Sequence, residues 1–245
     1  MNKKVLTMVC CAAVALFAGS AFADGAIDST FAELQALKDG KGNRTGRTEV
    51  FRAGVICEQD YVSGVTLALA SNIDNEAHAF EFAFLVNAAE LNSSGFQWGW
   101  LWGNYVNYGS FTGVQWGLVQ NRVGGDMTGW QAAFGMNLVQ DDMTGLQTAT
   151  LYNCVEEGDL AGVQLGFVNQ ADGDVCGAQF GLINLIGKEL TGVQFGGVNI
   201  AGTAKGLQIG LFNQANDLYG IQLGFVNRLK NYDKWPYTVF VRAVF

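Results

Sequence analysis

The sequence predicts an all-β protein, and the architecture it favours is an antiparallel transmembrane β-barrel of about 12 to 14 short strands. Three observations support this prediction. A Gly-apolar-Gln-apolar-Gly motif recurs along the chain, its side chains alternate between a bulky apolar face and a small or polar face, and the last strand ends on an aromatic residue. Helical repeats need about 30 residues or more per unit, so the shorter spacing of this motif indicates β-structure.

The motif repeats from residue 95 to residue 228. Its central glutamines lie 14 to 18 residues apart, and an Asn follows each of them by five to seven residues. Polar turns separate the copies, so each copy is predicted to form one strand. The central glutamines are Gln97, Gln115, Gln131, Gln147, Gln164, Gln179, Gln194, Gln208 and Gln222.

Period-two alternation divides each predicted strand between two faces. In the copy that begins at Gly162, the bulky face comprises Val163, Leu165 and Phe167, and Gln164 lies on the opposite face among glycines. Two architectures accept such strands. One is a barrel whose bulky face lies in lipid. The other is a β-solenoid of 14–18-residue coils, with the bulky face as its core, the Gln face as an exposed binding surface and the Asn residues stacked in a ladder.

Several features favour the barrel over the solenoid. Trp98, Trp100 and Trp102 share one face and would overfill a thin solenoid core, whereas lipid and its interfaces accept them. Glu81 lies among small residues, which suits a wet lumen. The motif is a palindrome about its Gln, so it can serve strands of both directions. The final strand ends at Phe245, which resembles the carboxy-terminal assembly signal of outer-membrane barrels.

These faces supply the candidate site residues of the predicted barrel. Gln side chains both donate and accept hydrogen bonds, so they suit a neutral pore for small polar solutes. The same glutamines can instead bond to one another across neighbouring strands, which would plug the lumen. The predicted lumen-lining residues are Glu81, Gln97, Gln115, Gln131, Gln147, Gln164, Gln179, Gln194, Gln208 and Gln222. The predicted membrane-facing residues are Phe80, Phe82, Phe84, Trp98, Trp100, Trp102 and Trp116.

The first 47 residues are predicted to be distinct from the repeats. Residues 1–23 combine Lys3 and Lys4 with an uncharged apolar run and small residues before Asp24, which is the pattern of a secretory signal peptide. Residues 24–47 predict a short amphipathic helix followed by a glycine-rich linker. A single β-repeat domain is expected over residues 48–245.

Composition and charge exclude several classes of function. The signal peptide contains two of the 14 basic residues and none of the 22 acidic ones, so the mature chain has a formal charge of −10. No basic patch is present to bind nucleic acid. Three cysteines remain, Cys57, Cys154 and Cys176, and their odd number and spacing do not predict a disulfide scaffold. Either one disulfide or free thiols fits this set.

Little in the sequence indicates catalysis or metal binding. The only histidine, His78, begins a predicted strand without Cys or His at ligand spacing, so it is interpreted as a surface residue. The acidic residues cluster in turns whose spacing matches no calcium-binding loop, so they are interpreted as solvated. No enzyme activity, cofactor or metal is predicted. The acidic turn residues are Asp126, Asp141, Asp142, Glu156, Glu157, Asp172, Asp174 and Asp217.

The tandem units between residues 95 and 228, with the aromatic-ended tail, resemble bacterial surface repeat-containing proteins, which carry Gly-apolar-Gln-apolar-Gly-x-apolar-Asn units. The resemblance implies an envelope or cell-surface location and no reaction. With the predicted barrel, it gives a non-enzymatic outer-membrane protein of a Gram-negative bacterium, structural or a narrow pore. Its expected partners are outer-membrane lipid and the barrel-assembly machinery. The alternative is a secreted or surface-tethered solenoid that serves as an adhesin or scaffold.

Overall fold

The computed structural model describes residues 48–232 and 235–245, which belong to one compact unit, Gly46–Phe245. The predicted signal peptide and the predicted helix and linker of residues 24–47 lie outside the described residues. The described chain is extended almost throughout and winds as a parallel β-solenoid, in which successive turns stack on one another. Among the described residues there is no helix of the length and hydropathy needed to span a bilayer.

Fifteen strands are present in the described part of the chain. The strands β1 and β14 each pass through more than one turn of the solenoid, whereas those between them are short. The strands are β1 (Thr48–Ala89), β2 (Ser93–Gly99), β3 (Gly103–Val106), β4 (Phe111–Gly117), β5 (Gln120–Val123), β6 (Met127–Ala133), β7 (Met136–Val139), β8 (Met143–Ala149), β9 (Tyr152–Val155), β10 (Leu160–Leu165), β11 (Val168–Ala171), β12 (Val175–Phe180), β13 (Ile183–Ile186), β14 (Glu189–Leu229) and β15 (Tyr237–Val244).

The strands form two parallel ladders. The first ladder carries the Gln motif and joins β1, β2, β4, β6, β8, β10, β12 and β14, with Gln97 opposite Gln115 in the register. The second ladder joins β1, β3, β5, β7, β9, β11, β13 and β14, with Asn104 opposite Asn121. The last strand, β15, pairs antiparallel with the end of β14.

The predicted antiparallel barrel is therefore wrong, and the solenoid alternative is the fold. The error lies in the content of one repeat, which forms a whole turn of two short strands rather than one membrane-spanning strand. In the copy at Gly162, β10 ends at Leu165 and β11 begins at Val168. Gln164 and Asn169 are both fully buried although they lie five positions apart. Strict alternation would place them on opposite faces, so the bend at Gly166 and Phe167 shifts the phase.

The assignment of the faces is also opposite to the one expected for a solenoid. The Gln and Asn side chains fill the interior, and the bulky apolar side chains beside each Gln point outward. Two apolar columns complete the interior at its corners. One column contains Phe111, Met127, Met143, Leu160, Val175 and Leu190, and the other contains Val106, Val123, Val139, Val155, Ala171 and Ile186.

The two glycines of the motif have different roles, so the palindrome in the sequence is not preserved in the backbone. Gly145, a first glycine, has a φ of 129°, and a Cβ atom added there would lie 2.1 Å from the carbonyl oxygen of Gly129 in the preceding turn. Only glycine accepts both the dihedral angle and the close approach. The second position of that copy is occupied by Ala149, which keeps an ordinary backbone. The positive φ of the first glycine therefore distinguishes the two ends of the motif.

Candidate binding surface

The glutamines predicted to line a pore form a continuous row of hydrogen bonds inside the solenoid. Gln147 Nε2 donates to Gln131 Oε1 over 3.0 Å, and Gln164 Nε2 donates to Gln147 Oε1 over 2.7 Å. Corresponding bonds of 2.7–3.0 Å join the rest of the row, and none of its side chains has exposed surface. The interpretation that these glutamines bond to one another is confirmed. The barrel lumen assigned to them is not part of this fold.

A second buried row is built by the asparagines, as the solenoid alternative predicted. Asn153 Nδ2 donates to Asn169 Oδ1 over 2.9 Å and also to the carbonyl oxygen of Leu165 over 2.8 Å. The second bond links the backbone at the bend of the next turn to the Asn row. The Gln amides donate toward the amino-terminal turn and the Asn amides toward the carboxy-terminal turn, so the dipoles of the two rows oppose each other. Nearly all amide groups thus find partners without solvent.

Glu81 occupies the position of a glutamine at the amino-terminal end of the first row. Its Oε1 atom accepts a hydrogen bond of 3.0 Å from Gln97 Nε2, and its side chain is fully buried. Its Oε2 atom has no hydrogen-bond partner among the described residues. Burial raises the pKa of Glu81 to about 7, and the bond from Gln97 opposes this rise. The carboxyl group ends an interior polar row rather than lining a lumen.

The outward side chains one position before, one position after and three positions after Glu81 and each central Gln form a continuous surface, termed here the apolar face. The residues before and after each Gln point outward in register, so that Leu146, Val163 and Ala178 follow one another along the solenoid. From Phe80 to Leu223 these two positions hold no charged residue. Its exposed large side chains include Phe80, Phe82, Phe84, Trp100, Trp130, Phe134, Leu165, Phe167, Phe180, Phe195, Leu211 and Phe225.

The residues predicted to face a membrane lie at the amino-terminal end of the apolar face and around its adjoining bend. Phe80, Phe82, Phe84 and Trp100 are exposed by a third or more of their surface, whereas Trp98, Trp102 and Trp116 are half-buried. The aromatic rings shield one another, with ring centroids 4.9 Å apart for Trp98 and Trp116. Their outward orientation agrees with the predicted orientation, and contact with lipid stays a prediction.

An acidic edge runs along the first ladder, where each of its strands begins. The amide of Asp159 donates to Asp142 Oδ1 over 2.8 Å, and the amide of Asp174 donates to Asp159 Oδ1 over 2.7 Å. The same relationship links Asp126 to Asp142 and Asp174 to Glu189. The turn acids were predicted as solvated, but not as a stacked row. The signal for stacking was their spacing of 15 to 17 residues, which equals the local repeat.

The described residues form no cluster that could hold a metal ion. His78 is exposed and lies 2.7 Å from the Ser94 hydroxyl. Cys154 is buried, Cys176 is exposed and forms no disulfide, and the side chain of Cys57 lies outside the described set. In residues 48–232 and 235–245 there is no group of three or more metal-ligating side chains. The apolar face is therefore the strongest candidate for a functional surface.

Phe245, the predicted assembly signal, follows β15 and is 96% exposed. Strand β15 continues the apolar face, since its residues Val241 and Ala243 lie opposite Leu223 and Ile221 of β14.

Comparison of the chain with protein-family models, with curated proteins and with solved structures finds no match.

Proposed function

We propose that this protein is an exported, non-catalytic β-solenoid that acts as a scaffold or adhesin at the cell surface. The observation that carries the proposal is the apolar face, an uncharged surface that extends along the described solenoid from Phe80 to Leu223. Monomeric soluble proteins rarely expose contiguous apolar patches larger than a few hundred Å², and larger patches mark interaction sites.

The buried amide rows support a structural role for the interior. Each Gln donates a hydrogen bond to the side chain of the preceding turn, so interior bonds stabilise the backbone that carries the side chains of the face. Interior amides with no exposed surface provide no path for a solute and no reactive group. The interior thus serves rigidity, and the function is assigned to the outer surface.

The proposal is tested on intact cells that produce the protein. We expect the wild-type chain to be labelled by an impermeant amine reagent and released by carbonate without detergent. A variant with Phe167→Ser, Phe195→Ser and Phe225→Ser should reduce attachment of the cells to one another. The matched control, with Glu156→Gln and Glu157→Gln on exposed turns, should attach like the wild type. Absence of surface labelling, or equal attachment of both variants, would contradict the proposal.

A further inference from the structure

The apolar face is large enough to hold a folded partner in a stable complex. Ten successive turns of the first ladder, from Glu81 to Gln222, span about 43 Å at the usual strand spacing of about 4.8 Å. Three outward side-chain columns give a width of about 20 Å, so the face covers about 850 Å². A standard protein interface buries about 800 Å² on each partner.

The charges around the face argue against an anionic membrane as that partner. Helices and faces that lie on membranes carry Lys and Arg beside their apolar side chains, because the headgroups are anionic. The long edge of the apolar face carries instead the stacked acids Asp126, Asp142, Asp159, Asp174 and Glu189. Cations stand only near its Glu189 end, where Lys188 precedes Glu189 in the chain and Lys205 Nζ lies 2.9 Å from Glu189 Oε1.

The flat and repetitive surface suits a second copy of the same chain. Two β-sheets pack face to face at about 10 Å when their strand directions are close to aligned, and their inner side chains interdigitate. The apolar face is such a sheet, and its turns repeat evenly. Between Phe80 and Leu223, Thr148 is the only polar residue directly before or after a central Gln. A second copy supplies the same repeat, the same chemistry and the same area.

The acidic edge selects one symmetry for this pair. A two-fold axis that runs across the solenoids would place the acidic edges of the two chains side by side, where they repel. A two-fold axis parallel to the solenoid axes would place them on opposite sides of the dimer. In the second arrangement each turn faces the same turn of the partner, so the aromatic end around Trp98 meets its own counterpart.

We infer that two copies of this chain associate through their apolar faces as parallel solenoids related by a two-fold axis along the solenoid direction. The inference rests on the area, the charge distribution and the repeat of the face. It also rests on the proposed function and deepens it, because it names a second copy of this chain as the partner of that face. The dimer would bury the aromatic surface that a single chain leaves in water.

The first test measures the mass of the purified chain by light scattering and sedimentation. Wild-type protein should have twice the mass of one chain at micromolar concentration. Leu165→Arg and Phe195→Arg, at exposed positions of the face, should each raise the dissociation constant by at least about 30-fold, because a charge enters the apolar contact. The control Glu156→Gln should remain dimeric. Circular dichroism must show the same strand content in all variants. A folded wild-type monomer at tens of micromolar would overturn the inference.

The second test determines the symmetry by disulfide trapping in a Cys176→Ser background. Ile209→Cys and Trp98→Cys lie near opposite ends of the face. Each variant alone should form a disulfide with its own copy, and a mixture should yield no cross-linked pair of the two variants. A mixed pair without self-pairs would indicate the other axis and overturn the proposed arrangement. The background protein without an added cysteine controls for the remaining native thiols.

A third measurement separates a protein partner from lipid. The purified chain is floated with phosphatidylcholine vesicles and with vesicles that also contain phosphatidylglycerol. The dimer should remain at the bottom of the gradient with both. Flotation of a monomeric chain, reversed by Phe195→Arg, would show that lipid covers the face and would overturn the inference.

Discussion

The carboxyl group of Glu81 accepts a hydrogen bond of 3.0 Å from Gln97 Nε2, so the buried row of amides ends at a titratable group. The remaining members of this row are amides with the same length as Glu81. The protonated carboxyl group therefore fits the row with little cost, whereas the ionised form is placed in an interior without solvent. The raised pKa of about 7 follows mainly from this burial.

This relationship makes stability depend on pH. In the folded chain the Glu81 carboxyl group has a pKa of about 7, whereas the ordinary pKa of a Glu side chain is 4.5. The contribution of Glu81 to stability is therefore fully present below pH 4.5, falls as the pH rises from about 4.5 to about 7, and stays low above that. Each unit of difference between the folded and unfolded pKa corresponds to about 1.4 kcal/mol, so the free energy of unfolding falls by about 3 kcal/mol over this range.

Glu81→Gln should remove this loss, since the amide cannot ionise and continues the row. We expect the variant to be more stable than the wild type at pH 8 by up to about 3 kcal/mol, and equal to it near pH 4. Urea unfolding at several pH values measures the difference. Glu156→Gln makes the same exchange at an exposed turn and should leave the pH profile unchanged. A wild-type profile that is flat between pH 4.5 and 7 would refute the burial argument.

Gly145→Ala should destabilise the solenoid strongly. The new Cβ atom would lie 2.1 Å from the carbonyl oxygen of Gly129, and φ is 129°. Backbone strain of this kind costs about 1–3 kcal/mol before the overlap is counted. The control Ala149→Gly, at the second motif position, should cost only about 0.5–1 kcal/mol. Thermal and urea unfolding compare the two. Similar losses for both would show that the first glycine has no special role.

Gln147→Leu should cost more than removal of one hydrogen bond. The substitution leaves Gln131 Oε1 without its donor and one N–H of Gln164 Nε2 without its acceptor, while the other N–H keeps the carbonyl oxygen of Gln170. Each unsatisfied buried group costs about 1–3 kcal/mol, so we expect a total of about 2–6 kcal/mol. Thr144→Ala, at an exposed position of the same strand, should change stability by less than about 0.5 kcal/mol. A loss for Gln147→Leu as small as that of the control would show that the row contributes nothing.

Local patterns in the sequence predicted the β-class, the repeat and the outward position of Phe80, Phe82 and Phe84. The error arose at the bend of each turn, where Gly166 and Phe167 reverse the phase between Gln164 and Asn169. A period-two pattern continues through such a bend because glycines recur throughout the motif, so Gly166 alone does not mark the end of a strand. The pattern therefore predicted one long strand for each repeat, and strands of that length led to the prediction of a barrel.

The interior was not predictable from hydrophobicity. The row of Trp98, Trp100 and Trp102 favoured a barrel, because three large side chains would overfill a thin solenoid core. A solenoid of short turns instead stacks identical amides at the strand spacing, and each finds a partner in the next turn. The constant spacing of five residues between Gln164 and Asn169, kept in the later copies, was the available signal for two rows in one interior.

The acidic edge provides a prediction in which two substitutions of one residue act in opposite directions. Asp159 Oδ1 accepts a bond of 2.7 Å from the amide of Asp174, and its own amide donates to Asp142 Oδ1. Asp159→Asn keeps the acceptor and removes one charge from a row of carboxylates at the strand spacing, so the melting temperature should rise at low ionic strength. Asp159→Ala removes the acceptor, so its melting temperature should fall below that of the Asn variant.

Salt distinguishes the two effects. The gain of Asp159→Asn over the wild type should disappear at about 1 M NaCl, where charges are screened within about 3 Å. The difference between the Asn and Ala variants should persist, because a hydrogen bond to the Asp174 amide is not screened in this way. Scanning calorimetry at low and high salt measures both differences. A gain for Asp159→Asn that is independent of salt would mean that repulsion along the acidic edge is not its cause.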